Sequence, residues 1–167
     1  RLSAAELRVK TPCDGIVAGT ATVNSGLFGE AAAKAMVLHY DYSVLAGTQG
    51  NRGHRKQDRM FELAERFGYP VIMFSEGGGG RPGEDDTGPE VYFDIPTFSR
   101  FSRLSGSVPL IGVNHGRCFA GNTALLAACD VIIATFEPAA NFPPLYKALV
   151  TRSCPTAQIS IIFISSP

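Results

Sequence analysis

Val71-Ile72-Met73-Phe74 is the segment that most restricts what this chain can form, because it leads through Ser75-Glu76 into four consecutive glycines, Gly77 to Gly80, and then Arg81-Pro82. A short unbroken apolar run bounded by punctuation predicts a strand covered on both faces. Consecutive glycines give up side-chain packing and lose more chain entropy on ordering than any other residue. A flexible linker would tolerate this, but here the run is held between a strand and a rigid Arg-Pro pair. Functionally, such a loop lets backbone N–H groups approach a ligand oxygen with no Cβ in the way, as an anion cradle or oxyanion hole. The plain alternative is a glycine-rich turn. No Gly-Lys-Ser/Thr follows, so this is not a P-loop.

The surrounding pattern alternates. Gly15 to Val23 and Ala35 to Leu45 predict strands, joined by a turn around Asn24, Ser25, Gly26 and Gly29. From His54 to Phe67, Met60, Leu63, Ala64 and Phe67 recur at helical spacing, with Gly68 as the stop and Pro70 preventing resumption. Ile95 to Leu104 predicts a short helix ended by Gly106. Val108 to Val113 predicts a second buried strand, running into His115-Gly-Arg-Cys-Phe-Ala-Gly-Asn122. Asn122 could cap a helix carrying Leu125, Leu126 and Cys129. Asp130 then opens a strand over Val131 to Ala134, and Ile159 to Ile164 is strand-sized. The order β-β-α-β-α-β-α-β is an α/β pattern, in which ligands bind at the carboxyl ends of the strands. Twice, a buried strand ends there in a glycine-bearing loop.

In the second loop, a helix starting near Gly121 would aim free N–H groups and its positive dipole end at the mouth of the sheet. Cys118 with His115 three residues away raises a nucleophile hypothesis, against the commoner role of such a Cys as packing. A third feature is Gly47 to Arg59, where Gly50 and Gly53 accompany Arg52, His54, Arg55, Lys56 and Arg59. This is either a solvated helix face or a site for cofactor phosphates such as those of coenzyme A. The acidic stretch Glu84-Asp85-Asp86 is expected to be a solvated loop, and no segment has metal-ligand spacing.

Composition removes several classes. The chain has 167 residues, 45% apolar and 18% charged, so it is one foldable domain rather than a disordered segment. Fifteen Lys and Arg against fifteen Asp and Glu leave no net charge to draw nucleic acid or an anionic membrane. The four cysteines (Cys13, Cys118, Cys129, Cys154) are dispersed, as reduced thiols would be in a cytoplasmic protein. No signal peptide or apolar run of about 20 residues is present. The opening Arg1 suggests a fragment.

Asp41 to Gly83 (DYSVLAGTQGNRGHRKQDRMFELAERFGYPVIMFSEGGGGRPG), followed by Val108 to Thr135 (VPLIGVNHGRCFAGNTALLAACDVIIAT), resembles the acyl-CoA carboxyltransferase family. That family includes the carboxyltransferase β subunits of biotin-dependent propionyl-, methylcrotonyl- and acetyl-CoA carboxylases and their longer fused relatives. The likeness covers roughly Thr11 to Thr135. It implies a crotonase-like (ClpP/crotonase) ββα spiral, with residues 1–135 as an incomplete N-terminal carboxyltransferase domain and 136–167 as a divergent tail. It also implies that carboxybiotin, on a partner carrier domain, delivers CO₂ to the α-carbon of an acyl-CoA. The thioester enolate attacks, the departing ureido group can take the α-proton, and backbone N–H donors hold the oxyanions.

Carried over by position, Gly78 and Gly79 match the paired glycines of the family's S-G-G-A-R segment and Arg81 its Arg, with Gly77 and Gly80 in place of Ser and Ala. Gly116, Ala120 and Gly121 match the second glycine loop, where Asn122 stands in place of a further Gly. The catalytic donors implied are Gly78, Gly79, Gly116, Ala120 and Gly121. Gly77, Gly80, Arg81, Gly50, Arg52, His54 and Lys56 are implied on the cofactor side, with no metal. Implied partners are a second carboxyltransferase domain, a biotin carboxylase and a biotin carrier, in a homo-oligomer, with no nucleic acid or membrane. Two other outcomes stay open: a crotonase-type enoyl-CoA hydratase or isomerase using Glu76, and an inactive truncated domain serving as an assembly module.

Overall fold

A computed structural model describes residues 3–10, 14–81, 95–136 and 160–165. The acidic stretch 84–86, Cys13, Cys154 and residues 137–159 lie outside the described residues. A first helix, α1 (Ala4–Lys10), was not expected. Its signal is the Ser3-x-x-Glu6 capping box, in which the Ser3 N–H donates to Glu6 Oε2 at 2.7 Å and the Glu6 N–H to Ser3 Oγ at 3.3 Å.

Strand β1 (Ile16–Thr22) pairs antiparallel with β2 (Lys34–Tyr40). The segment between them is not a simple turn but helix α2 (Ser25–Ala32), broken at Gly29 and with none of its residues buried. β2 stops at Tyr40, short of the expected Leu45, because Asp41 opens a turn, its Oδ1 accepting the Ser43 N–H at 2.9 Å and its carbonyl the Val44 N–H at 3.0 Å; Leu45, Ala46 and Gly47 then turn left-handed at φ of 48°, 57° and 65°. Helix α3 (Asn51–Phe67) then leads to β3 (Val71–Phe74), α4 (Thr97–Leu104), β5 (Leu110–Asn114), α5 (Ala120–Ala127), β6 (Val131–Phe136) and β7 (Ser160–Ser165). Gly68 ends α3 at φ 67° as expected.

The sheet order is β1-β2-β3-β5-β6-β7, with every pair after the first parallel, and the two-residue strand β4 (Gly77–Gly78) lies outside this sheet. Each new strand is added at the same edge. Right-handed crossovers therefore place α3, α4 and α5 on one face, as successive turns of a spiral. Met36, Leu38, Tyr40, Val71, Met73 and Leu110 point to that face, and each is at most 1% exposed. They pack with Phe61, Phe101, Leu104 and Leu125 into the core. Ile72, Phe74, Ile111 and Val113 alternate onto the opposite face and are only half-buried among the described residues, so the expectation of strands covered on both faces is corrected.

Candidate functional site

The carboxyl ends of β3 and β5 bring the two glycine loops together. Gly77–Gly78 forms the two-residue strand β4, which pairs in parallel with Cys118–Phe119. The Gly77 N–H donates to the Arg117 carbonyl at 2.7 Å and the Gly79 N–H to the Phe119 carbonyl at 3.3 Å. The third glycine-bearing segment joins on the other side, where the Gln49 N–H donates to the Gly79 carbonyl at 2.8 Å and the Arg81 N–H to the Gln49 carbonyl at 2.7 Å.

This pairing sorts the candidate donors. Gly77 and Gly79 have amides engaged within the junction, whereas ladder alternation turns the Gly78 N–H away from Cys118–Phe119. Ala120 and Gly121 are the first residues of α5, where backbone N–H groups have no intrahelical acceptor. Ala120 is held there at φ 44°, a left-handed conformation uncommon for a residue with a side chain. Gly116 is exposed and stands against Glu76, and Gly80 is exposed and forms a parallel bridge with Gln49. Gly77 has a different role. At φ 104°, a methyl group in place of its hydrogen would stand 2.6 Å from both the Ala46 carbonyl oxygen and Gly47 Cα. Only a bare backbone fits there, so its glycine is a packing requirement of the junction.

A buried polar chain holds the three segments in register. Tyr40 donates its hydroxyl to Gln57 Oε1 at 2.6 Å, and Gln49 Nε2 donates to the Tyr40 oxygen at 3.0 Å and to Asn122 Oδ1 at 2.8 Å. Asn122 Nδ2 in turn reaches the carbonyls of Gly47 and Glu76, each at 3.2 Å. Asn122 is therefore not the cap of α5. It lies inside the helix, fully buried, and fastens the left-handed turn to the glycine loop. The sequence pattern points to none of this for Gln49 and Tyr40, and to a helix cap for Asn122. The available signal was a pair of amide side chains within small and apolar surroundings, which must find partners when buried.

The charged candidates disperse. Arg52 and Lys56 share one side of α3 and His54 takes the opposite one, as positions two apart on a helix must. Lys56 binds the Asp14 carboxylate at 2.7 Å and the Ile16 carbonyl at 2.7 Å, and Arg52 is exposed. His54 is buried against α4, its Nδ1 at 3.1 Å from Thr97 Oγ1. Because that hydroxyl donates to Asp58 at 2.6 Å, Nδ1 is the donor to it. Gly50 is buried at the start of α3. Arg81 is 7% exposed and directs Nη2 to the carbonyls of Asp14 and Thr48 at 3.1 and 3.2 Å, tying β1 to the junction.

The nucleophile hypothesis loses its physical basis. Cys118 is buried and accepts from Thr123 Oγ1 at 3.6 Å, and burial pushes its thiol above the ordinary range. A reactive cysteine needs the reverse shift. Glu76 is better placed. Its Oε1 accepts the His115 N–H at 2.7 Å, while Oε2 is buried with no partner among the described residues.

A singly wound sheet whose glycine loops join at its carboxyl edge defines a crotonase-like α/β domain. Known proteins narrow that class. A solved single-chain, multi-domain long-chain acyl-CoA carboxylase is 55% identical with a TM-score of 0.72, over 80% of this chain and 13% of that one. The β4 subunit of a biotin-dependent long-chain acyl-CoA carboxylase from Mycobacterium tuberculosis is 29% identical over 121 residues, 72% of this chain and 22% of the relative. The methylmalonyl-CoA carboxyltransferase 12S subunit of Propionibacterium freudenreichii is 32% identical over 124 residues, 74% of this chain and 22% of the relative. No family model matches. The chain belongs to the acyl-CoA carboxyltransferase family, and it spans about a fifth of the length of these two curated relatives.

Proposed function

We propose that this chain supplies the acyl-CoA half of a biotin-dependent carboxyltransferase site. The observation that carries the reading is the junction itself, where the Gly78 N–H, turned away from Cys118–Phe119, and the first-turn amides of Ala120 and Gly121 lie on loops that hydrogen-bond to each other. Fixed dipoles of this kind stabilise charge that develops on an oxygen, and removing one typically costs about 3 kcal/mol of barrier. The site suits a thioester because the oxyanion of an enolate needs donors rather than a nucleophile, and Gly78, whose Cβ direction is already taken by Phe119, presents a bare backbone. Gly79 and Gly116 shape the approach, while Gly80, Arg52 and Lys56 border the route that coenzyme A phosphates would take. Gly77, Gly50, His54 and Arg81 support from behind.

Biotin, on a carrier domain, would supply the carboxyl group. A second carboxyltransferase domain would complete the site in a homo-oligomer, with a biotin carboxylase as a further partner; the domain over 1–135 takes its last edge strand, β7, from the region 136–167. Among the described residues no helix is long and apolar enough to cross a membrane.

Thermal melting tests the reading: millimolar acyl-CoA raises the midpoint, and Gly78→Val abolishes the rise while the circular dichroism spectrum stays native. An unshifted midpoint for the unaltered chain overturns it. The half-buried Glu76 carboxylate supports one rival, a hydratase acting on enoyl-CoA alone. Turnover of crotonyl-CoA without biotin, lost in Glu76→Gln, would establish that activity instead.

A further inference from the structure

Phe119 stands over the glycine proposed to hold the thioester. A Cβ on Gly78 would meet the Phe119 side chain at 2.9 Å from Cδ2, 3.1 Å from Cβ and 3.4 Å from Cγ. Yet 42% of Phe119 is exposed, so the ring covers Gly78 on one side and offers an open apolar surface on the other. Its position is built in at some cost. The next residue, Ala120, is held at a left-handed φ of 44°, and the ladder with Gly77–Gly78 fixes the Phe119 backbone. Strain of this kind persists where the surroundings enforce it and collects at functional sites.

We infer that Phe119 is a specificity-determining residue, whose ring receives the first methylenes of the acyl chain and favours longer unbranched chains over acetyl. The inference rests on the acyl-CoA reading above. The Gly78 N–H lies along the ladder edge, whereas the ring stands on the face of the same residue. That N–H points away from the Phe119 strand, so a substituent of a carbonyl held by it would reach the ring by crossing this face of Gly78. Of the two substituents of a thioester carbonyl, the acyl chain is hydrocarbon, and the pantetheine arm is rich in amides that an aromatic face cannot pair. Each methylene buried improves affinity roughly fourfold.

Calorimetric dissociation constants for acetyl-CoA and octanoyl-CoA, measured on the 167-residue chain and its variants, test this. The unaltered chain is expected to bind octanoyl-CoA at least about tenfold more tightly. Phe119→Ala is expected to reduce that ratio below about threefold, with Phe119→Leu between the two. A ring that merely supports the fold would weaken both ligands alike and leave the ratio untouched. An unchanged ratio in folded Phe119→Ala, or no chain preference in the unaltered protein, overturns the inference while the acyl-CoA reading stands. Failure of both thioesters to bind the unaltered chain overturns the reading beneath it as well. Loss of fold in both variants would make the ring a structural pillar and also overturn the inference.

Discussion

Gln49 and Asn122, 73 positions apart, meet through a 2.8 Å hydrogen bond from Nε2 to Oδ1. Both are almost wholly buried, and between them they link the end of β2, the left-handed turn at 45–47, the glycine loop and the start of α5. Replacing Asn122 with Leu would strand the Gln49 amide and the carbonyls of Gly47 and Glu76. A buried group left without its partner costs about 1–3 kcal/mol. Urea denaturation of Asn122→Leu should show a loss of at least that size. A change below about 0.5 kcal/mol, within the usual range for surface substitutions, would refute the clamp.

Adjacent glycines should respond differently. Gly77→Ala places a methyl group against backbone atoms at a φ of 104°, and neither can yield cheaply. We expect a loss of more than about 2 kcal/mol in denaturation. Gly78→Ala meets only the half-exposed Phe119 side chain, whose ring Cδ2 at 2.9 Å can turn aside while its Cβ at 3.1 Å must give by a few tenths of an ångström. Stability should fall by less than about 1 kcal/mol while the acyl-CoA-induced rise in melting temperature shrinks. Equal stability losses at the two positions would show that the contrast between backbone and side-chain neighbours does not govern here.

Arg81→Lys tests whether this cation serves the fold. A lysine ammonium cannot reproduce the planar fork in which Nη2 reaches the Asp14 and Thr48 carbonyls while Nε reaches Thr48 Oγ1 at 3.4 Å. The expected cost is about 1–2 kcal/mol, read from the denaturant midpoint. An undiminished midpoint would return Arg81 to the ligand side of the junction.

The buried thiols predict an alkaline limit to stability. Burial raises Cys118, and Cys129 is pushed up to about 12, above the ordinary thiol value of 9.0 that the unfolded chain retains. Above about pH 9 the unfolded chain releases protons that the native state keeps. Stability is therefore complete below that pH and declines as pH rises toward 12. Denaturant midpoints between pH 8 and 11 should fall, and Cys129→Ala should flatten the decline. Rapid alkylation of native Cys118 or Cys129 at pH 8, located by peptide mass mapping, would contradict their burial.

Local chemistry made much of this legible in advance. The period of Met60, Leu63, Ala64 and Phe67 specified α3, and the apolar run 71–74 specified β3 to the residue. Their alternation with the later segments specified a parallel sheet, because parallel neighbours need helical crossovers. The turn at 24–29 was misjudged since Gly29 breaks α2 without abolishing it. The end of β2 was misjudged since Val44 and Leu45 suit a strand by composition, while Asp41 opens a turn and the close approach of Gly47 to Gly77 imposes a left-handed one.

The sequence by itself determined the strands, the main helix, the two glycine loops and the family, because periodicity and glycine placement are properties of short stretches. Only the tertiary structure decided which amides remain available, how Asn122 and Arg81 are used, and that Phe119 covers Gly78. Those outcomes depend on hydrogen-bond partners and contacts between segments distant in the chain, and no local pattern encodes which of several donors a folded neighbour will occupy.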